Sequence, residues 1–251
     1  MSLEAGDKAP LLRWLIFTGT CTAGIALAWH FGLIGLMLDG DKTYISSVIL
    51  LICLLATLHC FSRTQTITRE LDRARRVQER IEKSPASVTM LGTRLVAGDG
   101  LDLPEGVVTD HIRNLAIKAK LQRHGRLDQT LLLHSLADSL RGPNQPGNFA
   151  SDIAMKLGLL GTIIGFIMML APIAGLDMAD RVSVKSSMGL MSNGMAVAMY
   201  TTLTGLVGGI LIKTQYYLLD IATAELFRIA TCLTEVYVVS VLERERDGEF
   251  R

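Results

Sequence analysis

LGLLGTIIGFIMML, Leu157 to Leu170, is the stretch on which the fold turns. It is apolar enough to lie in lipid, yet it places Gly158, Gly161, Gly165 and the hydroxyl of Thr162 where leucine would bury more apolar surface. In lipid there is little hydrophobic drive for helices to associate, so packing through small residues has to hold them. Gly161 and Gly165 have the Gly-xxx-Gly spacing that lets two backbones approach, and Gly158 and Thr162 lie on the adjoining face.

A second stretch repeats the device. In MAVAMYTTLTGLVGGIL, Met195 to Leu211, a helix advancing about 100° per residue puts Ala198, Thr202, Gly205 and Gly209 on one side and Asn193 on the other. Each stretch therefore carries one smooth stripe with a hydroxyl in it, and Thr162, Thr202 and the adjacent Thr201 are the candidate ion-pathway residues. A membrane threonine can also bond a carbonyl of its own helix three or four residues back and serve only as a small packing residue. At 1.5 Å per residue, Thr162 lies roughly 9 Å above Lys156 and Thr202 roughly 16 Å above Lys213, so the two line one path at different levels.

The rest of the chain agrees with a membrane protein. Hydrophobic residues make up 49% of the 251 positions and the formal net charge is only +1; the mean hydropathy is +0.36. Runs of roughly 18 or more apolar residues, enough to cross about 30 Å of hydrocarbon, occur at Trp14–Leu38, Tyr44–Phe61, Leu157–Leu176 and Ser187–Ile212. Lys8 and Arg13 precede the first run as in a secretory signal, but its length and the second run close behind favour a retained helix. Of the 25 Lys and Arg, 15 lie between Arg63 and Lys156, five from Lys213 onward and two before the first run. The short connections hold only Lys42, Arg181 and Lys185. The positive-inside rule then places both termini and the long middle segment in the cytoplasm.

The expected fold class is all-α: four transmembrane helices in two hairpins with long cytoplasmic helical extensions. Residues 1–62 form the N-terminal end and first hairpin, 63–155 a cytoplasmic helical insert, 156–213 the second hairpin and 214–251 a helical tail. Ile67, Leu71, Ala74, Val77 and Ile81 at helical spacing continue the second span below the membrane. Ser84 to Gly106 reads as a loop, and helices follow over Val107–His124 and Leu127–Leu140. Asp220, Glu225, Arg228 and Glu235 make the tail costly as a fifth span.

No nucleotide-binding glycine loop, zinc spacing or nucleophile elbow is present, so neither an enzyme nor a cofactor is expected. Cys21, Cys53, Cys60 and Cys232 have no metal-like spacing. His30 and His59 lie near span ends, where an interfacial histidine is commoner than a ligand or a relay. The third and fourth spans contain no Asp, Glu, Lys or Arg, the residues that usually mark an ion pathway. An ion-conducting chain of this kind needs its titrating group from another polypeptide.

The blocks LGLLGTIIGFI and GMAVAMYTTLTGL, in order and suitably separated, resemble the MotA/TolQ/ExbB proton-channel family over roughly Lys156 to Tyr217. The layout of two spans, insert, two spans and tail is similar to its flagellar stator members, while the blocks read closer to the ExbB and TolQ members. The resemblance implies a pentameric ring around two copies of a single-span partner whose membrane Asp takes up and releases H+ or Na+. It matches Thr162 and Thr202 to channel-facing threonines and Gly158, Gly161, Gly165 and Gly205 to packing glycines. Where ExbB-like members have a proline shortly after the Gly-Leu pair, this chain has Leu211. Lipid is a further partner and nucleic acid is not. The expected function is the ring subunit of a stator-like motor, against the alternative of a non-conducting scaffold packed through small-residue stripes.

Overall fold

The computed structural model describes residues 9–41, 43–83, 89–91, 94–96, 103–122, 127–175 and 181–249. The helices are α1 (Ala9–His30), α2 (Leu33–Gly40), α3 (Ile45–Lys83), α4 (Val107–Leu121), α5 (Thr130–Arg141), α6 (Gln145–Leu170), α7 (Arg181–Leu233) and α8 (Val239–Glu249). Single 3-10 turns, Gly142–Asn144 and Ala171–Gly175, flank α6, and a π turn, Thr234–Val238, separates α7 from α8. Stretches long and apolar enough to cross a membrane occur at Pro10–His30, Ile45–Glu82, Thr130–Ile173 and Val184–Arg244.

Several boundaries differ from the sequence reading, each for a local reason. The first apolar run is two helices, because Gly32 adopts φ +70°, a left-handed conformation that glycine takes without steric cost and that no right-handed helix contains. Inside the expected loop before α4 lies an antiparallel pair of strands, β1 (Thr89–Leu91) and β2 (Arg94–Val96), with Thr89 opposite Val96. α4 ends at Leu121; residues 123–126 lie outside the described residues. α5 starts at Thr130 rather than Leu127, because the Asp128 carboxylate accepts from the Thr130 amide at 2.9 Å and hydroxyl at 2.5 Å, an Asx turn that leads into the helix. The third span is helical to Leu170 and tightens into the 3-10 turn around Pro172; proline has no amide to continue an α-helix.

The chain divides into two compact units. One is built from Arg13–Ser62 and Gln145–Tyr217. In it Trp14 packs on Phe61 with ring centroids 5.1 Å apart, joining α1 to α3. α3 lies against α7 so closely that a Cβ at Gly208 would stand 2.6 Å from the Cys53 sulfur. Tyr216 is buried on α7, with its ring over Gly147 of α6 and its hydroxyl 2.7 Å from His59 Nδ1 on α3.

The other unit comprises Arg63–Asn144 and Leu218–Arg251, with the N-terminal residues to Leu12. Its core takes Ile67, Leu71, Ala74, Val77 and Ile81, all at most 2% exposed, from the distal half of α3. Ile112 and Leu115 of α4 and Leu219, Leu226 and Leu233 of α7 are buried with equal completeness. Glu70 Oε2 accepts from the Val107 amide at 2.9 Å, closing the N-terminus of α4 with a carboxylate where the helix dipole favours one. Asn144, 2% exposed, donates to Asp220 at 2.9 Å and to Thr223 at 3.2 Å, fixing the turn before α6.

Candidate functional site

The α6–α7 hairpin is assembled by residues too small to keep two backbones apart. A Cβ on Gly165 would come 2.6 Å from the Ala198 amide nitrogen, one on Gly205 2.7 Å from Gly158 Cα, and one on Gly209 2.6 Å from the Met155 side chain. At Gly158 it would stand 3.1 Å from the Thr201 carbonyl oxygen, and at Gly161 it would overlap the Thr201 side chain. Gly194, which the sequence reading passed over, belongs to the same seam, since a Cβ there would lie 2.5 Å from the Met169 amide. Its place four residues before Ala198 was the available signal. Ser151 was also missed, and its hydroxyl donates across the seam to the Gly209 carbonyl at 2.8 Å.

The three threonines occupy different surroundings. Thr201 is 0% exposed, packed against Gly161, and its hydroxyl donates to Val197 O at 2.9 Å on its own helix. Thr202, 100° round the helix, is exposed and donates to Ala198 O at 2.8 Å, with Gly158 O at 3.5 Å across the hairpin. Thr162 is half-buried and donates to Leu159 O at 2.5 Å. Because Thr202 sits level with Gly158, it is about one helical turn, roughly 6 Å, from Thr162. Counting from the two lysines suggests a similar offset, roughly 7 Å, but of opposite sense, since the structure sets Thr202 nearer the Lys156 end than Thr162.

Thr162 borders an open groove of about 510 Å³ with Gly165, Phe166 and Met169 of α6 and Met195 and Ala198 of α7. Gly165 and Ala198 make its floor shallow enough for a helix to approach, and a hydroxyl oxygen that has donated its hydrogen still has lone pairs to accept one. In and around it Leu159, Ile163, Phe166 and Ile167 on α6 and Met199, Leu203, Leu206 and Ile210 on α7 are each more than half exposed, a face suited to lipid or to other helices. Among the described residues no group of three His, Cys, Asp or Glu could hold a metal.

Residues 137–229 match the family model of the MotA/TolQ/ExbB proton channel family, which spans the end of α5, the whole hairpin and the first part of the tail. The chain matches no curated protein significantly. Among the described residues four helices are long and apolar enough to cross a membrane, and the matched family is one of proton channels, not a class of enzymes.

Proposed function

We propose, from the match of residues 137–229 to the MotA/TolQ/ExbB proton channel family, that this chain is the ion-conducting ring subunit of a stator-like complex, coupling H+ or Na+ flow across the inner membrane to mechanical work. The observation that carries the reading is the groove beside Thr162, a small-residue floor with a hydroxyl at its edge, on spans with no acid of their own. Such a wall suits a partner helix that brings the carboxylate. In this reading five copies surround two single-span partners, each with a membrane Asp, and both termini of this chain are cytoplasmic. Thr162 and Thr202 face the ion path. Moving one charge through the membrane potential is worth about 2.3 kcal/mol per 100 mV, so a few ions per step drive a conformational cycle.

A second reading, a non-conducting scaffold, draws on the fact that Thr162, Thr201 and Thr202 all donate to carbonyls of their own helices. The test separates the two. The complex is purified from the membrane with its partners, its subunits are counted, and ion uptake is followed in vesicles under an imposed potential. Conduction that T162V and T202V abolish without changing assembly supports the channel. No conduction in the wild type supports the scaffold, and unchanged conduction in the double variant takes Thr162 and Thr202 out of the ion path.

A further inference from the structure

In the unit built around the distal half of α3, a buried histidine has no part in the channel. His111 of α4 is 4% exposed, and its Nε2 is closed off from solvent with no hydrogen-bond partner. Gln129, 5% exposed just before α5, has an equally unpartnered Oε1. Its Nε2 donates to Glu235 Oε2 in the π turn. On its other side His111 borders a groove of about 250 Å³ between α4 and α5, with Asp110, Asn114, Ser135 and Ser139, an access route for water and protons. Single π turns inside helices are frequent at functional sites.

The other charges around this histidine are committed elsewhere. Asp110 pairs with Arg113 at 2.8 Å on its own helix. Asp128 is held by Thr130, and its carbonyl accepts from Lys118. Glu243 of α8 accepts from the Leu127 amide at 2.9 Å. On α3, Glu70 holds Arg73 and the Val107 amide. His134, Asp138 and Arg141 of α5 are exposed and do not line the groove. Glu235, reached through the Gln129 amide, is the counter-charge linked to the ring.

We propose that His111 is an acid-sensitive latch: protonation of its ring, through the α4–α5 groove, loosens the contact among α4, residues 127–129 and the π turn, with Gln129 and Glu235 limiting the penalty. A hydrogen on His111 Nε2 supplies Gln129 Oε1 with its missing donor and extends a chain from ring to amide to carboxylate. The second proton charges a ring buried beside Ile112 and Leu115. Burial pushes the His111 pKa below its ordinary value, and Gln129 offsets this in part. The unfolded chain therefore takes up protons first, so stability present above about pH 6.5 is lost as the pH falls below it. On the proposed topology this unit faces the cytoplasm, and the latch reports cytoplasmic acidification.

The test is hydrogen exchange of the full-length protein in lipid nanodiscs at about pH 7.5, 6.5 and 5.5, corrected for the intrinsic pH dependence of exchange. In the wild type, protection of α4 and the π turn should fall by about tenfold per unit of pK difference, while α6 does not change. H111Q should abolish the fall and E235Q should steepen it; if H111Q does not fold, the E235Q comparison decides alone. Flat protection of α4 in the wild type, a wild-type fall in H111Q, or an unsteepened fall in E235Q overturns the proposal.

Discussion

The hydroxyl oxygen of Thr202 lies 3.5 Å from the carbonyl oxygen of Gly158, across a hairpin whose helices approach closely because neither residue 158 nor residue 205 has a side chain. That approach sets the depth of Thr202 relative to Thr162, and it leaves no room for added atoms.

Gly165→Ala should therefore disrupt the hairpin, since its methyl would meet backbone at Ala198 and Gly194 rather than a side chain that can turn away. Overpacking of this kind costs about 1–3 kcal/mol. Gly189→Ala, with open space around it, is the control and should be neutral or slightly stabilising. Thermal aggregation of the two detergent-solubilised variants checks the difference.

Gly147→Ala should be much more damaging than Tyr216→Phe. The first drives a methyl into the Tyr216 ring, whereas the second keeps the ring and removes one hydroxyl that bonds His59 at 2.7 Å, a loss of about 0.5–1.5 kcal/mol. Stability of each variant measured by urea titration ranks them; Tyr216→Phe as costly as Gly147→Ala would show that the hydroxyl, and not the ring's seat, holds α3 to α7.

Thr201→Val should leave the hairpin intact. Valine has nearly the same shape, and the hydroxyl it removes bonds only carbonyls of its own helix, so stability should change by less than about 1 kcal/mol. Thr201→Leu adds volume at a position 0% exposed against Gly161 and should prevent close packing. If Thr201→Val abolishes ion uptake in assembled complexes while Thr202→Val does not, the ion path runs along the inner face of α7 rather than the outer.

Acid should release the start of α3. Asp41, 4% exposed in the loop before it, accepts from the Ser46 amide at 2.6 Å and from the Thr43 amide and hydroxyl at 3.1 and 2.6 Å. Burial works to raise its pKa, but the hydrogen bonds from Thr43 and Ser46 outweigh it and hold the carboxyl below its ordinary value. The stabilisation is thus present above about pH 4 and lost as the pH falls through the lowered pKa. Asp41→Asn should remove that acid-dependent loss, read as local exchange of the first amides of α3 across an acid series.

Asn144→Ala should cost about 1–3 kcal/mol, because it leaves Asp220 and Thr223 without the amide that bonds both. Proteolysis near residues 142–144 is the sensitive readout. Cleavage no faster than in the wild type would mean that the 3-10 turn alone holds the entry to α6.

Much of this was legible because it is local. Hydrophobic runs announce helices long enough to cross a membrane, the face of Ile67, Leu71, Ala74, Val77 and Ile81 shows in helical periodicity alone, and the glycine-threonine blocks led to the channel family that residues 137–229 match. What tertiary structure decided is long-range. Helical spacing puts Thr202 on the small-residue stripe with Thr201 beside it, but it is Thr201 that packs against Gly161 while Thr202 is exposed. Counting from Lys156 and Lys213 could not set the stagger of α6 against α7, because the register follows from which small residues meet, with Gly158 beside Gly205 and Gly165 beside Ala198. Likewise His111, Gln129 and Glu235 lie in three stretches far apart in the sequence and form no pattern along the chain. A helix's own periodicity fixes which residues share a face; only packing against a distant segment fixes what that face meets.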